Sequence, residues 1–175
     1  GRLTPKKYPY PASSRILENQ STDTEIKFVD VTDQKLIKLK NIGLVTTSNW
    51  LDFDGDGWDD LIIAGEWMPI RVFKNNSGKS FVEITNQVFE KKQYGWWFDI
   101  EKGDFDNDGD IDLIAGNLGL NYKYKASEEK PFRVYLNDFD NNSTFDIVLS
   151  YDYDGTEYPV RGRQCSSEQI PAIIE

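Results

Sequence analysis

The stretch DFDGDGWDD, Asp52–Asp60, constrains this chain more than any other, and it returns at Asp104–Asp112 as DFDNDGDID. Asp52, Asp54, Asp56 and Asp60 stand at positions one, three, five and nine, with Gly57 at position six. Side chains two residues apart converge only if the backbone wraps around a common centre. Four like charges gathered that way repel one another strongly unless a counter-ion joins them. A hard divalent cation answers both demands, because Ca2+ takes six to eight oxygen ligands at about 2.3–2.6 Å. The EF-hand loop starts the same way but runs to twelve residues and ends on a bidentate Glu. Here the loop closes at position nine and leads directly into the apolar run LIIAGEW. The pattern therefore predicts a calcium loop between two strands, not a helix–loop–helix.

Other phrases recur as well. Arg15–Asn19 reads RILEN, Arg71–Asn75 RVFKN and Arg133–Asn137 RVYLN. FVDVT at Phe28–Thr32 returns as FVEIT at Phe81–Thr85, and a third acidic stretch, NDFDNNSTFDIVLS, spans Asn137–Ser150. A spacing near fifty residues, with several short strands per unit, is the signature of propeller blades. The expected fold class is all-β, a β-propeller or partial propeller of antiparallel blades with calcium-binding loops.

Within the expected single propeller segment 1–175, residues 1–33 supply the last two strands of a preceding blade. The first whole blade spans 42–90, with its calcium loop at 52–60. Its strands are expected at 42–51, Asp60–Glu66, Pro69–Lys74 and Phe81–Thr85. The second spans 94–137, with strands at Tyr94–Gly103, Asp112–Gly116 and Phe132–Leu136, loop 104–112, and the insertion NLGLNYKYKASEEK at 117–130. RVYLN closes this blade or opens the next, since the third acidic loop follows it at once. The partial blade 138–175 holds a degenerate loop at 138–146 and a strand at Asp146–Tyr151. An Asp154-Gly155 hairpin there returns through Tyr158-Pro159-Val160. Propellers close with four to eight blades, so exposed strand edges are expected to meet the remaining blades of a parent chain or another chain.

D-x-D-x-D-G-x-x-D-L followed by an apolar strand and Ala-Gly resembles the FG-GAP/VCBS repeats, the calcium-loop blades of integrin-alpha-like propellers. GEWMPIRVF, GWWFDI, DFDNDGDIDLIAGNLGLN and KYKASEEKPFRVY resemble the bacterial type associated with the ASPIC/UnbV group. The resemblance covers residues 14–163 and implies calcium bound by the loops, a location outside the cytoplasm, and a role in carbohydrate or protein binding. It assigns metal ligation to Asp52, Asp54, Asp56, the Trp58 carbonyl and Asp60 in the first loop. In the second it assigns Asp104, Asp106, Asp108, the Asp110 carbonyl and Asp112. In the third it assigns Asp138, Asp140, Asn142, the Thr144 carbonyl and Asp146. That loop departs from the pattern, since Asn142 replaces a carboxylate and Ser143 the turn glycine, which predicts weaker binding. Two calcium sites and a weaker third are expected. Ala64-Gly65 and Ala115-Gly116 also lack the proline that follows in the family's naming motif.

Charge and composition narrow the partners. The formal net charge is −10, and three divalent ions would offset more than half of it. No basic stripe exists to neutralise phosphates, so nucleic acid is not an expected partner. Aromatic residues make up 14% and are spread along the chain, which argues for a packed core over disorder. No run approaches a membrane span, and Gly1-Arg2 does not begin a signal peptide, so an excised or mature segment is expected. The lone Cys165 reads as a bystander thiol.

Trp50 and Trp96 are expected in the core, while Trp67, Trp97, Tyr122 and Tyr124 are candidates for a ligand platform. With no His in the chain, the simplest nucleophile–base pair is missing and the chain is read as non-enzymatic. The rival reading is a calcium-dependent polysaccharide lyase, with Tyr122, Lys123, Tyr124 or Lys125 as the base. A purely structural segment of a larger surface protein is the third possibility.

Overall fold

A computed structural model describes residues 1–5 and 7–174. The chain divides into two compact units, Gly1–Leu118 and Gly119–Glu175. Among the described residues every strand pairing is antiparallel and none of the three sheets closes on itself. The all-β class read from the sequence holds.

In the first unit, β1 (Leu17–Asn19) pairs with β2 (Phe28–Asp30). The main sheet is built around β4 (Asp60–Pro69). Its first half lies between β3 (Leu44–Leu51) and β5 (Arg71–Asn75), and β5 carries β6 (Phe81–Glu83) on its other side. Period-two alternation then buries β4 on both faces. Leu61 and Ile63 enter a core with Ile16, Leu39 and Phe73. Ile62 and Ala64 enter a second core with Leu51, Val72 and Ile100. This explains why LIIAG is continuously apolar.

The far end of β4 differs from expectation. It runs to Pro69 because β7 (Tyr94–Gly103) hydrogen-bonds against Glu66, Met68 and Pro69 before pairing with β8 (Asp112–Asn117). Pro69 thus ends β4 and does not begin β5. The ladder shifts register between Glu66 and Met68, where Trp67 takes a left-handed φ of 59°. Trp50 is also a correction: it lies on the solvent side of β3, 39% exposed, edge-on to Phe81 at 5.7 Å.

The repeated phrases have one structural meaning. Leu17↔Asp30 and Asn19↔Phe28 in β1–β2 match Phe73↔Glu83 and Asn75↔Phe81 in β5–β6. After each pair the threonine opens a short helix, α1 (Thr32–Lys35) or α2 (Thr85–Val88), so the expected strand Phe81–Thr85 stops at Glu83. The threonine hydroxyl accepts the amide of the residue after the arginine, Ile16 to Thr32 at 2.8 Å and Val72 to Thr85 at 3.1 Å.

In the second unit, β9 (Arg133–Asn137), β10 (Asp146–Tyr153) and β11 (Thr156–Pro159) form a meander. RVYLN therefore opens the third acidic hairpin. Asp154 and Gly155 both have positive φ, 53° and 76°, as a two-residue primed turn requires. Helix α3 (Arg163–Gln169), unanticipated from sequence, follows. Among the described residues no helix is long and apolar enough to cross a membrane.

Thr85→Val leaves the buried Val72 amide without an acceptor and is expected to cost about 1–3 kcal/mol, with Thr85→Ser recovering most of it. The urea midpoint of the two variants checks this.

Candidate metal centre

Each acidic loop joins two paired strands, β3–β4, β7–β8 and β9–β10, and all three adopt one backbone path. Position four is left-handed in every copy, at Gly55 (φ 74°), Asn107 (62°) and Asn141 (58°). So is position six, at Gly57 (85°), Gly109 (96°) and Ser143 (67°). Glycine and asparagine tolerate that region most easily. Ser143 adopts it at a conformational cost that the other two loops avoid.

The carboxylates order this path through backbone amides. The Asp60 Oδ2 accepts the Phe53 amide at 3.1 Å, Asp112 the Phe105 amide at 2.9 Å, and Asp146 the Phe139 amide at 3.1 Å. The position-one carboxylate accepts from position six in each loop: Gly57 to Asp52 at 2.8 Å, Gly109 to Asp104 at 3.2 Å, Ser143 to Asp138 at 2.9 Å. Position five accepts from position seven, through Asp56, Asp108 and Asn142. Asn142 thus reproduces the loop-forming bond of an aspartate without its charge.

Three carboxylate oxygens in each loop come within 4.8 Å of one another: those of Asp52, Asp54 and Asp60; of Asp104, Asp106 and Asp108; and of Asp138, Asp140 and Asp146. Such convergence of like charge with hard oxygen donors suits a divalent cation. The charge of Asp108, then its hydrogen bond, push the Asp110 carboxyl above the usual range, with smaller effects from desolvation, Asp112 and Asp106. Negative charge in the second loop is therefore in excess.

The first loop differs in a way the spacing does not show. Lys74 of β5 places its ammonium against Asp54, and at 3.1 Å from Asp56. Its bond to Asp54 and then to Asp56 hold Lys74 above the usual lysine range, while the bond to Lys74 holds Asp56 below the usual carboxylate range. Among the described residues no ion pair reaches the second or third loop. Asn75, 8% exposed, ties the first loop to β5: its amide reaches Asp60 at 2.7 Å and its side chain the Asp59 carbonyl at 2.9 Å. That is the work of the repeated asparagine in RVFKN, legible in the repeat but not understood from it.

A second acidic group was not anticipated. Glu66 in β4 is 1% exposed and is met by Arg2 and, at 2.9 Å, by the Tyr8 hydroxyl. Burial first, offset by the Trp67 bond and reinforced by Glu66, pushes Tyr8 up to about 12. Removing Arg2 would leave the Glu66 charge buried and uncompensated. The Trp67 indole donates to Tyr8 at 2.7 Å, and its ring lies 5.0 Å from the half-buried Trp96. Trp97 packs on the second core and donates to the Gln93 carbonyl at 3.0 Å. Tyr124 sits between Phe132 (5.3 Å) and Tyr151 (4.6 Å), with Tyr122 edge-on and 42% exposed. These four aromatics thus pack mainly against their own chain.

Residues 52–115 match the FG-GAP-like repeat family, over the first two loops and the strands between them. Such repeats form propeller blades, in accord with the antiparallel sheets. Comparison with curated proteins and with solved structures returned no match.

Nothing lies within 4 Å of a Cβ built on Gly57, so Gly57→Ala tests the backbone alone. It is expected to cost about 1–2 kcal/mol in urea unfolding, and Gly57→Asn less. The raised Asp110 favours the protonated folded state, so this group's contribution is lost as pH rises through its folded pKa. In EDTA, Asp110→Asn is expected to raise the melting temperature at neutral pH, the gain fading in acid.

Proposed function

We propose that this chain is a calcium-stabilised binding or scaffold module from an extracytoplasmic bacterial protein of the FG-GAP/VCBS type associated with the ASPIC/UnbV group. Its ligands are carbohydrate or protein. The observation that carries the reading is the threefold loop, in which the same two left-handed positions and the same carboxylate-to-amide bonds recur despite changed side chains. Repetition of that path through changed side chains supports a shared ion-holding task.

The carboxylates of Asp52, Asp54 and Asp60 would hold Ca2+ in the first loop, those of Asp104, Asp106 and Asp108 in the second, and those of Asp138, Asp140 and Asp146 more weakly in the third. Asp56, Asp112, Asn142 and the carbonyls of Trp58, Asp110 and Thr144 complete the proposed sets. Bound calcium would supply the positive charge that offsets carboxylate repulsion. The chain's own contribution is to hold the oxygens in place through the backbone amides.

Binding in preference to catalysis is supported by the state of the lyase candidates. Tyr122 and Tyr124 pack together at 5.7 Å, Lys123 lies over the Tyr124 ring at 5.1 Å, and Lys125 bonds to the Leu120 carbonyl. Extracytoplasmic location is supported by where FG-GAP repeats ordinarily occur.

Calcium at a hundred times its dissociation constant should stabilise the fold by about 2.7 kcal/mol for each independent site. EDTA should correspondingly lower the melting temperature, and Asp104→Asn should reduce the calcium response more than Asn142→Ala. A melting curve indifferent to calcium and EDTA would reject the metal-dependent part. A glycan array read with and without calcium tests the binding role.

A further inference from the structure

We propose that the first unit carries a binding site for a hydroxylated carboxylate, a sugar acid, in a cavity away from the acidic loops. The cavity has a volume of about 370 Å³ and lies beside β5, β6 and α2, with Lys38, Arg71, Lys92, Glu83, Asn86 and Gln87 around it. That size falls within the range of small-molecule sites, roughly 300–1,000 Å³.

Its charge is the first argument. Three cations face one carboxylate, in a chain whose formal net charge is −10. Lys38 and Lys92 make no ion pair among the described residues. Cations gathered around one space repel unless an anion enters it.

Arg71 supplies the second argument. Its two contacts with Glu83 are long, both 3.4 Å from Nη1, and its Nε is buried with no partner. The related pairs Arg15–Asp30 and Arg133–Glu157 are closer, each 3.2 Å. Glu83 is also shared with the Thr85 hydroxyl at 3.0 Å. A guanidinium has five donors in a planar fork that matches a carboxylate; here, among the described residues, only Nη1 has partners, and both contacts are long and fall on Glu83.

The rest of the lining selects among anions. Glu83 disfavours a doubly charged phosphate more than a singly charged carboxylate. Glu83 and the amides of Asn86 and Gln87 offer the acceptors and donors that hydroxyl groups need. Pro69 and Ile84 add an apolar surface suited to the C–H face of a sugar ring. The site deepens the ligand-binding reading above and rests on it for the saccharide class, but not on the calcium assignment.

The test titrates the full chain, without added calcium, with glucuronate, glucose, acetate and inorganic phosphate while amide NMR shifts are followed. Glucuronate should shift the amides of Glu83–Lys92, and more strongly than glucose or acetate does. The double variant Lys38→Ala/Lys92→Ala, altered only at exposed positions, should weaken glucuronate about five- to tenfold. Phosphate binding as tightly as glucuronate would overturn the carboxylate assignment. Glucuronate binding unchanged in the double variant would overturn the location. Failure of glucuronate alongside glycan-array binding would sink this site and spare the binding reading; failure of every saccharide would sink this site together with the carbohydrate half of that reading.

Discussion

One carboxylate at the foot of each acidic loop governs what surrounds it. In the first loop Asp60 is fully buried, bonded through one oxygen to the Phe53 amide and through the other to the Asn75 amide. It closes the loop, begins the most buried strand of the molecule and attaches the neighbouring strand. A buried carboxylate is tolerable only where amides or a cation satisfy it. The turn therefore has to take the path that brings those amides in. Asp146 repeats the arrangement in the second unit, 4% exposed, with Phe139 and Gln169 as donors.

Charge then separates loops that geometry makes alike. The first has Lys74 at hand, the second has three aspartates raising a fourth, Asp110, and the third has exchanged one aspartate for Asn142. The internal cation of the first loop shares its carboxylates with any bound ion. The second loop keeps its full unbalanced charge for one. The third combines lower charge with the strained φ of Ser143. A single backbone design thus yields three different electrostatic environments.

Much of this was legible because it is local. The acidic spacing, the turn residues at positions four and six, and the Asp154-Gly155 hairpin depend on residues within one turn of each other. Short-range sterics and hydrogen bonding settle such features. The repeated RVFKN and FVEIT phrases also predicted a shared unit, and β1–β2 and β5–β6 do share a register. Where reading failed, a distant partner had decided the outcome. Trp50 stays 39% exposed and meets Phe81, 31 residues away, edge-on at 5.7 Å. Phe81–Thr85 stops short as a strand because the Thr85 hydroxyl is taken by Val72.

By itself the sequence determined an all-β chain, the position and path of the acidic loops, and the recurrence of one blade-like unit. Tertiary structure alone decided that Lys74 reaches the first loop across 20 residues, that Arg2 and Tyr8 cover Glu66, and that three cations gather around one cavity. The difference is physical. Alternation and turn chemistry act between neighbours along the chain, whereas these meetings depend on which strands pair and in what register.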